Sequence, residues 1–189
     1  MEVELNPVSD YLAKLNQALG NFPTVQVVKL GSLLLQRRDM STLFIAGNGG
    51  SATTASHMAV DLGVGSIRRN NPLKVVSLCD NIAVITAISN DVSFEDVFAT
   101  QITLLAKPGD VFISFSASGN SLNILKAIRA AKSLGVYTVA ITGFDGGSAK
   151  TEADLSVHIE TAIGDYGVVE DVHLTVSHIL TEVIRNSYE

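Results

Sequence analysis

Apolar positions follow two rhythms along this chain, and the change falls near residue 42. Before it, two helices are predicted. Ser9-Asp10 caps the first, Asn21-Phe22-Pro23 interrupts, and the second runs over 24–38, with Arg37 and Arg38 suiting its C-terminal dipole. In that second helix Val25, Val27, Val28, Leu30, Leu33, Leu34 and Leu35 leave little polar surface. A surface helix would carry a narrower apolar stripe. This arm, residues 1–40, is therefore expected to bury against another subunit as well as its own core. From Thr42 onward short β-branched runs alternate with helical ones. Strands are predicted over 43–46, 74–78, 111–115, 137–142 and 155–158, and helices over 51–62, 81–87, 94–106, 121–134, 147–153 and 168–187. Gly135 and Gly146-Gly147 supply stops and turns. The alternation predicts an α/β domain over 41–189, a parallel sheet with helices on both faces.

Two of the junctions stand out. Gly47-Asn48-Gly49-Gly50-Ser51 and Ser116-Ala117-Ser118-Gly119-Asn120-Ser121 each follow a strand-like run and open a helix. Free backbone N–H groups and the positive end of a helix dipole make such a turn an anion site. The first loop has no P-loop lysine and does not fit a dinucleotide GxGxxG pattern, so a nucleotide-binding regulator is disfavoured. Alone it reads equally well as a tight turn packing strand on helix. The second places three hydroxyls at a helix entry where one cap would suffice. Phosphate needs several short donors, and hydroxyls supply them without a basic patch. In a parallel sheet both loops fall at the carboxyl ends of strands, where ligands bind. A phosphorylated small molecule is the expected ligand.

Composition narrows this further. The 189 residues are 47% hydrophobic with mean hydropathy +0.32, enough for a sizeable core. A net charge of -6 and a pI near 5.1 argue against nucleic-acid and membrane-surface partners. The one dense basic cluster, Arg68-Arg69 beside Asn70-Asn71, reads as a solvated loop. No apolar run approaches the ~20 residues of a membrane span. Cys79 is the sole cysteine and sits in an apolar run, so a buried thiol in a reducing, cytoplasmic setting is expected. The acidic start, Met1-Glu2-Val3-Glu4, has no apolar signal core.

Several side chains could carry chemistry. His57 and Asp61, four apart on one helix, share a face. They suit a divalent metal or a carboxylate-oriented imidazole, although an exposed i,i+4 pair is the commoner meaning of such spacing. On the last helix Glu170 and His178 are eight residues apart, about 80° of rotation, and can face one site. A hydrogen-bonded core histidine is the alternative for His178. Asp171 and His173 point elsewhere on that helix and read as surface or interface residues, and His158 as structural. Asn90-Asp91 suits either an Asx-capped turn or a contact to a polyol.

The segments FIAGNGGSATTASHMAVDL (44–62), ISNDVSFEDVFATQ (88–101), GDVFISFSASGNSLN (109–123), ITGFDGG (141–147) and EDVHLTVSHIL (170–180) together resemble the phosphoheptose isomerases. The resemblance covers nearly the whole chain after residue 40. It implies a SIS (sugar isomerase) domain with a doubly wound, five-stranded parallel sheet in flavodoxin-like order, and a homotetramer with active sites between subunits. It implies conversion of sedoheptulose 7-phosphate to a glycero-manno-heptose 7-phosphate for surface polysaccharide precursors, often with zinc. Sugar-phosphate contacts are implied at Asn48, Gly49, Gly50, Ser51, Asn90, Asp91, Ser116, Ala117, Ser118, Ser121 and Glu170. Metal ligands are implied at His57, Asp61, Glu170 and His178, and acid/base roles at Asp61 and His178, with Glu170 as substitute base. Three departures from the family pattern stand out. Asp61 replaces a glutamate, Glu170 replaces a glutamine, and Gly164-Asp165-Tyr166-Gly167-Val168 replaces a Thr-Ala-Arg-Ile-Gln entry. The rival reading is a non-catalytic sugar-phosphate-binding regulator or replication-initiator-binding scaffold on the same fold. His178 together with His57 favours the enzyme.

Overall fold

A computed structural model describes residues 6–37, 40–67 and 72–187. Arg38 and the Arg68–Asn71 cluster lie outside the described residues. Five strands form one parallel sheet: β1 (Thr42–Gly47), β2 (Lys74–Ser77), β3 (Val111–Ser116), β4 (Tyr137–Thr142) and β5 (Leu155–His158). Their spatial order is β2-β1-β3-β4-β5, the flavodoxin-like order, and every pairing is parallel. The chain winds outward from β1 to β2, then returns past β1 to β3. The winding direction therefore reverses between β1 and β3, the two strands that carry the glycine and serine loops.

Period-2 alternation gives each central strand two buried faces. Leu43, Ile45, Ile113, Phe115, Val139 and Ile141 belong to one core, shared with α2 (Thr24–Arg37), α3 (Gly50–Gly63) and α8 (Tyr166–Asn186). Phe44, Ala46, Phe112 and Ala140 belong to the other, shared with α5 (Val97–Leu105) and α6 (Leu122–Ser133). The remaining helices are α1 (Asn6–Gly20), α4 (Ile82–Asp91) and the short α7 (Gly147–Glu152).

The helices differ from the sequence expectation in three places. Ser9-Asp10 lies inside α1 rather than capping it, because the described helix already runs from Asn6. Pro7 fits its first turn, where a missing N–H costs nothing. The expected helix over 94–106 divides into a 3-10 turn at Phe94–Asp96 followed by α5. There Ser93 Oγ donates to Asp96 Oδ2 at 2.6 Å, and Lys126 from α6 reaches the same carboxylate at 3.0 Å. Side-chain bonds of this kind compete with the next helical turn. Asn90-Asp91, which the sequence reads as either a capped turn or a polyol contact, forms the last two residues of α4.

α1 buries only Ala18 and lies across the start of α8. Tyr11 donates its hydroxyl to Asp171 at 2.7 Å, and Lys14 meets Asp165 at 2.8 Å. The Asp171 carboxylate pushes the Tyr11 phenol up to about 12. α2 docks more deeply, through Val27, Leu30, Gly31 and Leu34.

His173 is not the surface or interface residue that helical geometry suggested. It is 0% exposed and tilted against Phe115, with ring centroids 5.6 Å apart. Both faces of α8 are covered here, one by the sheet and one by α2 and α3, so no orientation reaches water. Neither ring nitrogen has a well-aligned hydrogen bond. Burial lowers its pKa to about 4, against a weaker pull from the Thr142 backbone. The unfolded chain takes up this proton near pH 6.5, whereas the folded chain resists it down to about pH 4. The stability tied to this ring is thus present above pH 6.5 and is lost as pH falls toward 4. We predict that urea unfolding of the wild type loses about 2 kcal/mol more between pH 7 and pH 5 than unfolding of His173→Leu does. Equal losses would mean that the ring is charged, or reaches water, in the folded state.

Candidate active site

The two loops meet at the carboxyl ends of β1 and β3. Asn48, Ser51, Phe115, Ser116, Ala117, Ser118, Ser121, Tyr166 and Glu170 line a cleft of about 130 Å³ there. Its lining contains no lysine or arginine, so an anion is met by hydroxyls and backbone N–H groups.

The serine loop is tied from behind. Ser116 Oγ accepts from Gly119 N at 3.1 Å and Ser118 Oγ from Asn120 N at 3.2 Å. Ser121, the N-cap of α6, makes no side-chain capping bond. The β4–α7 segment clasps the loop from outside: Gly143 N donates to Ala117 O, Ala149 N to Gly119 O, and Ser148 N to Asn120 Oδ1, at 2.9–3.0 Å. The approach is so close that a Cβ on Gly119, at φ +64°, would strike the Gly146 carbonyl. In the same segment Phe144 adopts φ 50°, unusual for a bulky residue, and packs edge-on against Tyr166 at 4.9 Å between centroids.

The first loop behaves differently from the second. A Cβ on Gly50, the first residue of α3, would collide with the carboxylate of Glu170. That helix N-terminus, expected to receive an anionic ligand, is faced by a carboxylate of the protein itself. The dipole favours this placement of negative charge.

About two turns further along α3 and α8 from Ser51 and Glu170, His57, Asp61 and His178 converge. Their nearest ligating atoms lie within 4.8 Å of one another. His57 Nε2 is 3.4 Å from His178 Nε2 and 3.3 Å from Asp61 Oδ2. Ligands of a tetrahedral zinc ion with bonds of about 2.0–2.1 Å stand ~3.3 Å apart. The donor set and spacing therefore suit a divalent transition metal. Glu170, the fourth predicted ligand, lies outside this triad and on the cleft.

The remaining candidates separate. Gly49 and Gly50 belong to the first loop, whereas Asn90 and Asp91 end the exposed helix α4, away from the cleft lining, with Asn90 Nδ2 bonded to Asp91 Oδ1 at 2.8 Å. Cys79 is half-buried and donates to Gly47 O, and burial raises its thiol pKa. His158 sits 3.1 Å from Thr142 Oγ1. Two residues were not anticipated. Tyr166 is a wall of the cleft, signalled only by its place just before the predicted last helix. Asn123 backs the first loop, and its one sequence signal is its place two residues past Ser121.

Residues 27–143 match the family model described as "SIS domain". The chain is 38% identical over 180 residues to a phosphoheptose isomerase of Trichlorobacter lovleyi, covering 94% of this chain and 90% of that one. It is 30% identical to the phosphoheptose isomerase of Rhodospirillum rubrum, covering 99% and 98%. The solved phosphoheptose isomerase of Neisseria gonorrhoeae superposes with a TM-score of 0.87 at 27% identity, over 96% of this chain and 98% of the other. Sequence and overall structure agree, and the chain belongs to the phosphoheptose isomerase family of SIS-domain proteins.

Proposed function

We propose that this chain is an aldose–ketose isomerase that converts sedoheptulose 7-phosphate to a glycero-manno-heptose 7-phosphate for surface polysaccharide synthesis in the cytoplasm. One observation carries the reading: a cation-free, hydroxyl-lined cleft lies along the same two helices as a His-Asp-His triad. A sensor needs the first feature but not the second. The spacing also supports a long sugar. By helix rise the triad residues lie about 9–15 Å along α3 and α8 from Ser51 and Glu170. With C–C bonds of about 1.5 Å, an extended seven-carbon phosphate reaches the near end of that range and a triose phosphate falls well short of it.

The roles follow from this placement. Ser116, Ser118 and Ser121 hold the phosphate, with Ala117 between them, and Asn48, Gly49, Gly50 and Ser51 face the sugar. Asp61 removes the C1 proton of the ketose while His178 supplies a proton to O2, giving an enediol. The proton on O1 then leaves as one is delivered to C2, which completes the aldose. Glu170 is the substitute base. His57, Asp61 and His178 would hold a zinc ion, whose positive charge would stabilise oxygens of the enediolate.

A homotetramer with sites between subunits completes the proposal. α4 carries Ile82, Val84, Ile85 and Ile88 yet has no buried residue; Ile82 is 73% exposed, and Phe94, just beyond the helix, 57%. Exposed apolar area of this kind suits a protein contact. In such an assembly Asn90 and Asp91 would complete a neighbour's sugar site. The outward Val25 and Val28 of α2 would add a second contact.

Two experiments test the reading. NMR in deuterated water should show proton exchange at C1 and C2 of sedoheptulose 7-phosphate, and His178→Ala or Asp61→Ala should lower it at least ~10²-fold. Tight binding without exchange would leave a sensor. Phe94→Asp should shift the particle mass to a smaller species by light scattering and reduce turnover. An unchanged mass would remove the Phe94 turn from the interface.

A further inference from the structure

Burying an amide is costly unless it is hydrogen-bonded, and a leucine or alanine would fill a helix position equally well. Asn123, in the first turn of α6, is 2% exposed. Its Nδ2 donates to Asn48 Oδ1 at 2.8 Å, and Asn48 Nδ2 donates back to Asn123 Oδ1 at 2.9 Å. The two amides thus pair edge to edge through reciprocal hydrogen bonds. Asn48 lines the cleft, and Asn123 stands behind it.

This pair joins loops from β1 and β3, 75 residues apart in sequence. The junction is the one where the winding of the sheet reverses. An amide carries two N–H donors and two carbonyl lone pairs. The pair uses one of each on Asn48. One N–H and one lone pair remain, a donor beside an acceptor, which matches a sugar hydroxyl that both gives and takes a hydrogen bond.

We propose that Asn123 is a positioning residue for the sugar half of the cleft: it fixes the plane of the Asn48 amide and leaves one donor and one acceptor for a hydroxyl of the substrate. Asn123 touches no substrate itself and acts through Asn48. The inference rests on the assignment of sugar to the first loop and phosphate to the second.

The test combines kinetics with a double-mutant cycle in the full-length protein. Asn123→Ala should raise KM for sedoheptulose 7-phosphate about tenfold. Its inhibition constant for inorganic phosphate should stay within about twofold of wild type, because the serine loop is untouched. Asn48→Ala should show the same split, and the double variant should be no worse than Asn48→Ala alone. Asn123→Asp adds a readout that packing would not move. A protonated carboxyl donates and accepts as the amide does, whereas a carboxylate only accepts. Its KM, taken relative to wild type at each pH, should therefore approach wild type at low pH and worsen as pH rises. This variant also serves if Asn123→Ala does not fold.

Additive effects in the cycle, or a KM defect in Asn123→Asp that does not change with pH, would reduce the pair to a staple between loops and overturn the proposal. A wild type that turns over sedoheptulose 7-phosphate while Asn123→Ala matches it overturns the proposal alone. A wild type that binds the sugar without turnover removes the isomerase reading, and the same comparisons then proceed on dissociation constants. A wild type that neither binds nor turns it over removes both.

Discussion

Close approach of backbones at the carboxyl ends of β1, β3 and β4 is the constraint on which the site depends. Three strand-to-helix turns must share that end of the sheet, and there is no room for side chains between them. Gly119 lies against the Gly146 carbonyl, and Gly50 against the Glu170 carboxylate. Because these positions carry no Cβ, the β4–α7 segment can donate three N–H groups to the serine loop. The loop is then held by bonds on its outer side, leaving the Ser121 hydroxyl uncommitted to a capping bond at the cleft. Binding to a preformed loop costs less conformational entropy than ordering one on arrival.

The electrostatics follow from the same geometry. Two helix N-termini point toward one region, and the protein meets one of them with its own carboxylate, that of Glu170. This makes the two loops unequal despite their similar composition, and it is why the proposed function assigns the anion to the serine loop. A cleft with no lysine or arginine in its lining binds a dianion through many neutral donors, and so selects by shape as well as by charge. The proposed function leaves chemistry at the reacting carbons to the His-Asp-His triad, further along the same helices. On the proposed roles, phosphate recognition and proton transfer are separated, and the two ends of a long sugar phosphate would be held by different parts of α3, α6 and α8.

Much of the fold was legible because its signals are local. The strands carry β-branched runs bounded by turn residues, and all five fall within two residues of their expected limits. The serine loop was legible as chemistry, since three hydroxyls at one helix entry exceed what capping requires. His57, Asp61 and His178 could be paired along each helix by spacing, but only packing of α3 on α8 brings the three together. What stayed hidden depends on long-range contact. Asn123 gains its meaning from Asn48, and Tyr166 from Phe144. His173 is buried because α8 is covered on both sides, which its own periodicity does not reveal. The break before α5 rests on a lysine from a different helix.

The central claim is that phosphate and reacting carbons occupy the two ends of one groove. A crystal structure of the protein soaked with sedoheptulose 7-phosphate tests it most directly. The account predicts the phosphorus among the hydroxyls of Ser116, Ser118 and Ser121, with C1 and C2 within reach of Asp61 and His178. Phosphate at the start of α3 beside Glu170, or reacting carbons remote from the triad, would contradict it.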